Sequence, residues 1–160
     1  MALSKSQRYA SEFGKSFGGF IFSGNPCTGK NHLAAAIGNQ IIRNGKSILI
    51  ATLPDLMMRV RETYQKGVKT TESQLISGLC EVGLLVLDDV GVQCNNLNEE
   101  LITFQVVDRL SSNKKPVGIL TNLNFDELAK TLGNRVIDRL RMGSPTVINF
   151  TWESSRRQVK

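Results

Sequence analysis

No run of 18 or more apolar residues occurs in the 160-residue chain, so no segment reads as a membrane-crossing helix. The first residues, MALSKSQRYASEF, lack the continuous apolar core of a secretory signal. A cytoplasmic location and no membrane partner are therefore expected. Cysteine is scarce, widely spaced and odd in number (Cys27, Cys80, Cys94), which fits neither a disulfide framework nor a zinc pattern. With His32 as its one histidine, the chain cannot build a multi-histidine metal site. Internal repeats, low-complexity stretches and an internal domain boundary are also missing.

What is present is an ordinary globular mix. Hydrophobic residues make up 41% of the chain and charged residues 21%, enough to bury a core without cross-links and too apolar for disorder. The net charge of +6 is unevenly spread: residues 130–160 hold seven basic and two acidic side chains, against 13 and 12 in the first 129. That C-terminal excess reads either as an electrostatic footprint for nucleic acid or a neighbour's phosphates, or as a solvated basic tail.

Apolar runs and helical periodicity alternate along the chain. Residues 4–17 read as a lead-in helix broken by Gly18 and Gly19. GFIFSG (19–24), SILIAT (47–52), LLVLD (84–88), VGILTN (117–122) and TVINF (146–150) read as buried strands. Between them, apolar residues at helical spacing predict a helix from Lys30 to Gly45. A second should run from Pro54 through Tyr64, a third over 73–79 and a fourth over 98–111, with short helices over 125–132 and 136–140. Strands alternating with helices, and strands apolar throughout, predict an α/β fold of three αβα layers around a five-stranded, mostly parallel sheet.

Two motifs carry the chemistry. GNPCTGKN, comprising Gly24, Asn25, Pro26, Cys27, Thr28, Gly29, Lys30 and Asn31, follows a strand and opens a helix, the context a P-loop NTPase requires. Glycines let backbone N–H groups converge on phosphate oxygens, the helix N-terminus adds partial positive charge, and Lys30 supplies a full one. Asn31 stands where a hydroxyl residue is usual, and its amide oxygen can face Mg²⁺ directly or through water. In LLVLDD, Asp88 sits at a strand's C-terminal end, where open α/β sheets gather ligands, and is placed to hold Mg²⁺; Asp89 can act as general base toward water. Asn122, ending the fourth strand, either orients that water or simply closes a turn. The cofactors expected are ATP and Mg²⁺.

FIFSGNPCTGKNHLAAAI, LLVLDDVGVQ, GILTN, GNRVIDRLR and NFTWESSR together resemble the ATPase domain of the DnaC-type bacterial replicative-helicase loaders, and less closely DnaI and the transposition ATPase IstB. The likeness runs from about Gln7 to Arg157. It implies an AAA+-type P-loop NTPase: a single domain over 1–160, with a lead-in helix (1–17), a core (18–151) and a basic tail (152–160). It places His32 beside the nucleotide within the GKNH tetrapeptide. It makes Asn122 the sensor 1 residue, Arg139 an arginine finger through which the chain self-associates, and Arg156 the sensor 2 arginine. Arg135 matches the arginine that opens the same segment. Arg61 and Tyr64, three apart and so expected on one helix face, match a helix that holds single-stranded DNA; read without the likeness, this is an amphipathic helix with solvated arginines. The implied activity is weak ATP hydrolysis in DNA replication, with single-stranded DNA and a DnaB-type replicative helicase as partners. A nucleotide-gated DNA-binding module with little turnover, and an IstB-like transposition ATPase acting on duplex DNA, are the alternatives.

Three departures bear on these expectations. Cys27 occupies a place that is normally glycine, and a positive φ there would cost about 1–2 kcal/mol. Asp89 stands for the more frequent glutamate. The chain begins just before the ATPase core, without the part that grips the helicase in loaders, as expected of a trimmed form or of a natural short form that has lost helicase binding.

Overall fold

The computed structural model describes residues 1–91 and 97–154; Cys94 and Arg156 lie outside the described residues. Among the described residues the elements follow in the order α1 (Ala2–Glu12), β1 (Phe20–Gly24), α2 (Lys30–Arg43), β2 (Ile48–Thr52), α3 (Leu53–Glu62), α4 (Glu72–Leu79), β3 (Leu84–Asp88), α5 (Leu97–Ser112), β4 (Val117–Leu120), α6 (Phe125–Arg141) and β5 (Thr146–Phe150). The strands form one sheet in the order β2-β3-β4-β1-β5, and every pairing is parallel, so the expected "mostly" becomes "wholly".

Strict alternation of side chains across each strand builds the three layers. Phe20 and Phe22 of β1, with Leu84 and Val86 of β3, join Ala34, Ile37 and Ile41 of α2 in one buried cluster. Ile21, Leu85 and Leu87 point the other way, into a larger cluster with α3, α4, α5 and α6. A strand buried on both faces has no polar alternate, which is why these segments are continuously apolar. At about 25 cal/mol per Å² of apolar area, this two-sided burial is the main stabilising term.

Several boundaries differ from expectation for local reasons. Helix α1 stops at Glu12, because Phe13 turns extended and Gly14 adopts φ 91°. Helix α3, capped by the Thr52 hydroxyl and entered through Pro54, ends at Glu62 and leaves Tyr64 in the following turn. Strand β4 ends at Leu120, two residues early; the Thr121 N–H still donates to the Phe22 carbonyl, while its hydroxyl bonds to Val90 and Leu123. The two short helices after it are the halves of α6, joined across Gly133, whose φ of 76° and ψ of 156° interrupt the helix. An Asn124–Glu127 capping box starts that helix. Among the described residues no helix is long and apolar enough to cross a membrane.

Candidate nucleotide-binding site

The loop from Gly24 to Gly29 turns β1 into α2. Gly24 has φ 112°, and a Cβ there would meet the Phe150 carbonyl oxygen at 2.4 Å, so only glycine lets β1 and β5 close around the loop. Gly29 caps α2 in the left-handed region at φ 98°. Cys27, at φ 58°, is also left-handed, which realises the strain anticipated for a side chain at this position. Thr28 is buried and its hydroxyl donates to the Asn25 carbonyl at 2.7 Å. Pro26 and Cys27 sit exposed in the turn, and His32 is exposed on α2.

Lys30 is only 6% exposed, unusual for a lysine. Its ammonium donates to the carbonyls of Gly24 (2.9 Å) and Asn25 (2.7 Å) and lies 6.0 Å from the Phe150 ring centroid. Burial pulls its pKa below the ordinary lysine value, opposed by Asp88, Cys27 and Asp89. These carbonyls hold the charge in the place of phosphate oxygens, so a nucleotide would exchange one set of oxygen acceptors for another.

The acid strand reaches the same place. Asn31 Nδ2 donates to Asp88 Oδ2 at 2.5 Å, joining the first turn of α2 to the tip of β3. The other Asp88 oxygen accepts the Asp89 backbone N–H at 2.8 Å. Asn31 was expected to turn its amide oxygen toward a cation; here the amide N–H faces the carboxylate, and the oxygen reaches that position by rotation of the amide. Asp89 is exposed, with φ 54°, a conformation aspartate tolerates better than most residues. Partial burial first, then the neighbouring Asp88, push its pKa above the ordinary carboxylate value, with Lys30 acting in the opposite sense.

Among the described residues no group of three or more His, Cys, Asp or Glu side chains could hold a metal on its own. The donor set nonetheless fits magnesium, which keeps several waters and takes only one or two carboxylates beside substrate phosphates. Asp88 already accepts an N–H from Asn31 where a cation would serve equally well.

Asn122 is exposed immediately after β4, the strand that runs between β3 and β1. Beside it lies a residue the sequence did not single out. Thr121 is 2% exposed; its hydroxyl donates to the Val90 carbonyl at 2.6 Å and accepts the Leu123 N–H at 3.1 Å. It ties the exit of β3 to the exit of β4. The contacts that the segment after β5 makes with the phosphate loop were not foreseen either. Asn25 Nδ2 donates to the carbonyls of Thr151 (3.2 Å) and Trp152 (3.1 Å), and the Trp152 indole N–H donates to the Thr28 carbonyl at 3.1 Å. Trp152 also packs on Phe150 with ring centroids 4.8 Å apart. The signal was a solitary tryptophan just past a strand, ambiguous without knowing that β5 neighbours β1.

The remaining candidates lie away from this cluster. Arg139 pairs with Asp108 across α5 and α6 at 2.7 Å, at the end of the sheet where β1 and β4 begin. Arg135 is exposed beside the Gly133 kink. Arg61 and Tyr64 do not share a helix face, since α3 ends between them. Arg61 approaches Glu99 of α5 at 4.0 Å, and the Tyr64 hydroxyl donates to the Glu72 carboxylate, which raises the phenol's pKa.

Residues 10–160 match the model of the family described as "IstB-like ATP binding protein". The chain is 48% identical over 158 residues to the replicative helicase loader DnaC of Escherichia coli K12, covering 99% of this chain and 64% of that protein. It thus spans a little under two thirds of that curated relative's length. Among solved structures, the DnaC helicase loader superposes with a TM-score of 0.76 at 22% identity, over 92% of this chain and 88% of that one. The replication initiator DnaA bound to AMPPCP and single-stranded DNA superposes with a TM-score of 0.78 at 21% identity, over 95% and 46%. The fold is that of the AAA+ P-loop ATPases.

Proposed function

Because the chain belongs to the family of IstB-like ATP-binding proteins, we propose that it is a DnaC-like helicase-loader module that binds ATP with Mg²⁺, hydrolyses it slowly and engages single-stranded DNA in replication. The observation that carries this reading is the 2.5 Å contact between Asn31 and Asp88, which brings the phosphate loop and the acid strand to one point. Lys30 and the backbone N–H groups from Cys27 to Asn31 bind the phosphates, within the loop that Gly24, Asn25 and Pro26 shape. Asp88 and Asn31 would hold Mg²⁺, which when bound supplies charge neutralisation on the β- and γ-phosphates. Asp89 accepts the proton of the attacking water, and Asn122 orients that water. Arg139, and Arg156 in the basic tail, supply cations to the transferring phosphoryl group, Arg139 from a neighbouring copy. Arg61 and Tyr64 offer single-stranded DNA a phosphate partner and a stacking surface. A DnaB-type replicative helicase is the proposed macromolecular partner.

Phosphate release measured over a range of protein concentrations, with and without single-stranded DNA, tests this. Turnover per chain should rise with concentration, because the finger acts between copies. Flat, background-level release with retained ATP binding would select the second reading, a nucleotide-gated DNA-binding module with little turnover. That reading is favoured by two left-handed non-glycine residues, Cys27 and Asp89, at the phosphate loop and at the general base. Preference for duplex over single-stranded oligonucleotides at fixed salt would select an IstB-like transposition role instead.

A further inference from the structure

We infer that Asp108 is a positioning residue for Arg139, fixing which edge of that guanidinium is presented to a neighbouring copy of the chain; this rests on the trans-acting role proposed above for Arg139. Asp108 projects from α5 and Arg139 from the last turns of α6. The contact is made through Arg139 Nε, 2.7 Å from Asp108 Oδ1. That oxygen is itself buried and accepts no hydrogen bond, so the contact is an ion pair without hydrogen-bond alignment, and the two side chains are about a third and two fifths exposed. Nη1 approaches the Met142 sulfur at 3.7 Å. Nε and Nη1 thus have neighbours, and Nη2 is the guanidinium nitrogen left without a partner among the described residues.

A guanidinium is a rigid planar fork, so an ion pair that holds Nε beside Asp108 narrows the region both terminal nitrogens can reach. An arginine on four rotatable bonds would otherwise lose rotamer entropy each time it reached a phosphate. The helices that carry the pair are held against each other by the larger core cluster, which includes Val107 and Leu110 of α5 with Val136, Ile137 and Leu140 of α6. The anchor therefore belongs to a stiff helix pair rather than to a loop. Arg109, the next residue on α5, donates to Ser77 and Ser73 on α4 and does not compete for Asp108. The pair also lies at the sheet end remote from the chain's own phosphate loop, which suits a group that serves a neighbour's nucleotide and not its own.

Complementation between two inactive variants tests the inference. Arg139→Ala keeps a working pocket but offers no finger; Lys30→Ala keeps the finger but has no working pocket. Mixed, they should restore hydrolysis in the Arg139→Ala pockets. Adding Asp108→Asn to the Lys30→Ala chain should lower that rescue by about tenfold or more, as expected when a transition-state group is misaimed, with ATP affinity of the Arg139→Ala partner unchanged. Asp108→Glu in the same chain should return part of the rescue, which a merely structural role would not. Thermal melts keep the comparison to folded protein, and Asp108→Glu alone serves if Asp108→Asn is unfolded. Full rescue by the Asp108→Asn chain would overturn the inference while leaving the finger in place. Wild-type turnover by Arg139→Ala alone would instead overturn the reading on which it rests.

Discussion

The phosphate-loop end of the sheet and the connection from α3 to α4 are held by different means. At the first, position is set by backbone and burial: Lys30 is 6% exposed, Asn25 is tied to Thr151 and Trp152, and Asn31 to Asp88. At the second, Tyr64 is 60% exposed and anchored by one hydroxyl contact to Glu72, and Arg61 by one loose approach to Glu99. A site braced by main chain admits one ligand geometry. A surface carried on long side chains can follow an irregular polymer, at the cost of ordering those side chains on contact. The contrast suits a triphosphate at one place and a sequence-tolerant strand at the other.

The largest effect separating the two regions should come from Lys30→Ala. It removes a full charge from the phosphate cradle, and fluorescent-nucleotide titration should show ATP affinity falling about a hundredfold or more, in line with the few kcal/mol of a lost charge-assisted contact. Single-stranded DNA affinity measured without nucleotide should hardly change. Tyr64→Ala should do the reverse. Loss of one stacked base, about 1–3 kcal/mol, predicts a fall in single-stranded DNA affinity of roughly tenfold, with ATP binding intact. Arg61→Ala should additionally reduce the salt slope of DNA binding by about one. If both variants lose both ligands together, the two regions are not independent.

Smaller effects sharpen the picture of the braced end. Trp152→Phe keeps the ring against Phe150 and deletes the N–H donated to Thr28. At about 1 kcal/mol for that bond, ATP affinity should drop roughly fivefold with little change in secondary structure by circular dichroism. Cys27→Gly exchanges left-handed strain for a residue at ease there, less the entropy of an added glycine. The balance of about 0.5–1 kcal/mol predicts a melting temperature a few degrees higher. Titration should expose Asp89. Its folded pKa is raised, so between the ordinary aspartate range and that raised value the folded chain holds a proton the unfolded chain has released, and stability falls as pH climbs through this window. Asp89→Asn should flatten that slope in urea unfolding of the nucleotide-free protein.

Much of the α/β fold could be read from the sequence. The apolar runs all became strands, but only β1, β3 and β4, in the middle of the sheet, are buried on both faces; the edge strands β2 and β5 leave Ile50 and Val147 exposed. The glycines of the phosphate loop announced a turn that only glycine or a strained residue can make. What escaped was decided by contacts between distant segments. Nothing near Trp152 says that β5 will lie beside β1 and deliver an indole to Thr28. Thr121 looks like one more strand residue until Val90 and Leu123 are seen to converge on its hydroxyl. Tyr64 and Arg61 suit one helix by spacing, and only the early end of α3 separates them. The two short helices expected after β4 are present as the two halves of α6, because Gly133 leaves helical geometry between them, and both halves contribute to the core beside α5.

The Thr121 bridge has a mechanical consequence. With its proton given to Val90 and its lone pair taken by Leu123, the tips of two adjacent strands are pinned like the jaws of a clasp. A displacement of the carboxylate pair on one jaw must carry the exposed amide of Asn122 with it. Whatever displaces one of these strand tips is therefore transmitted to the other.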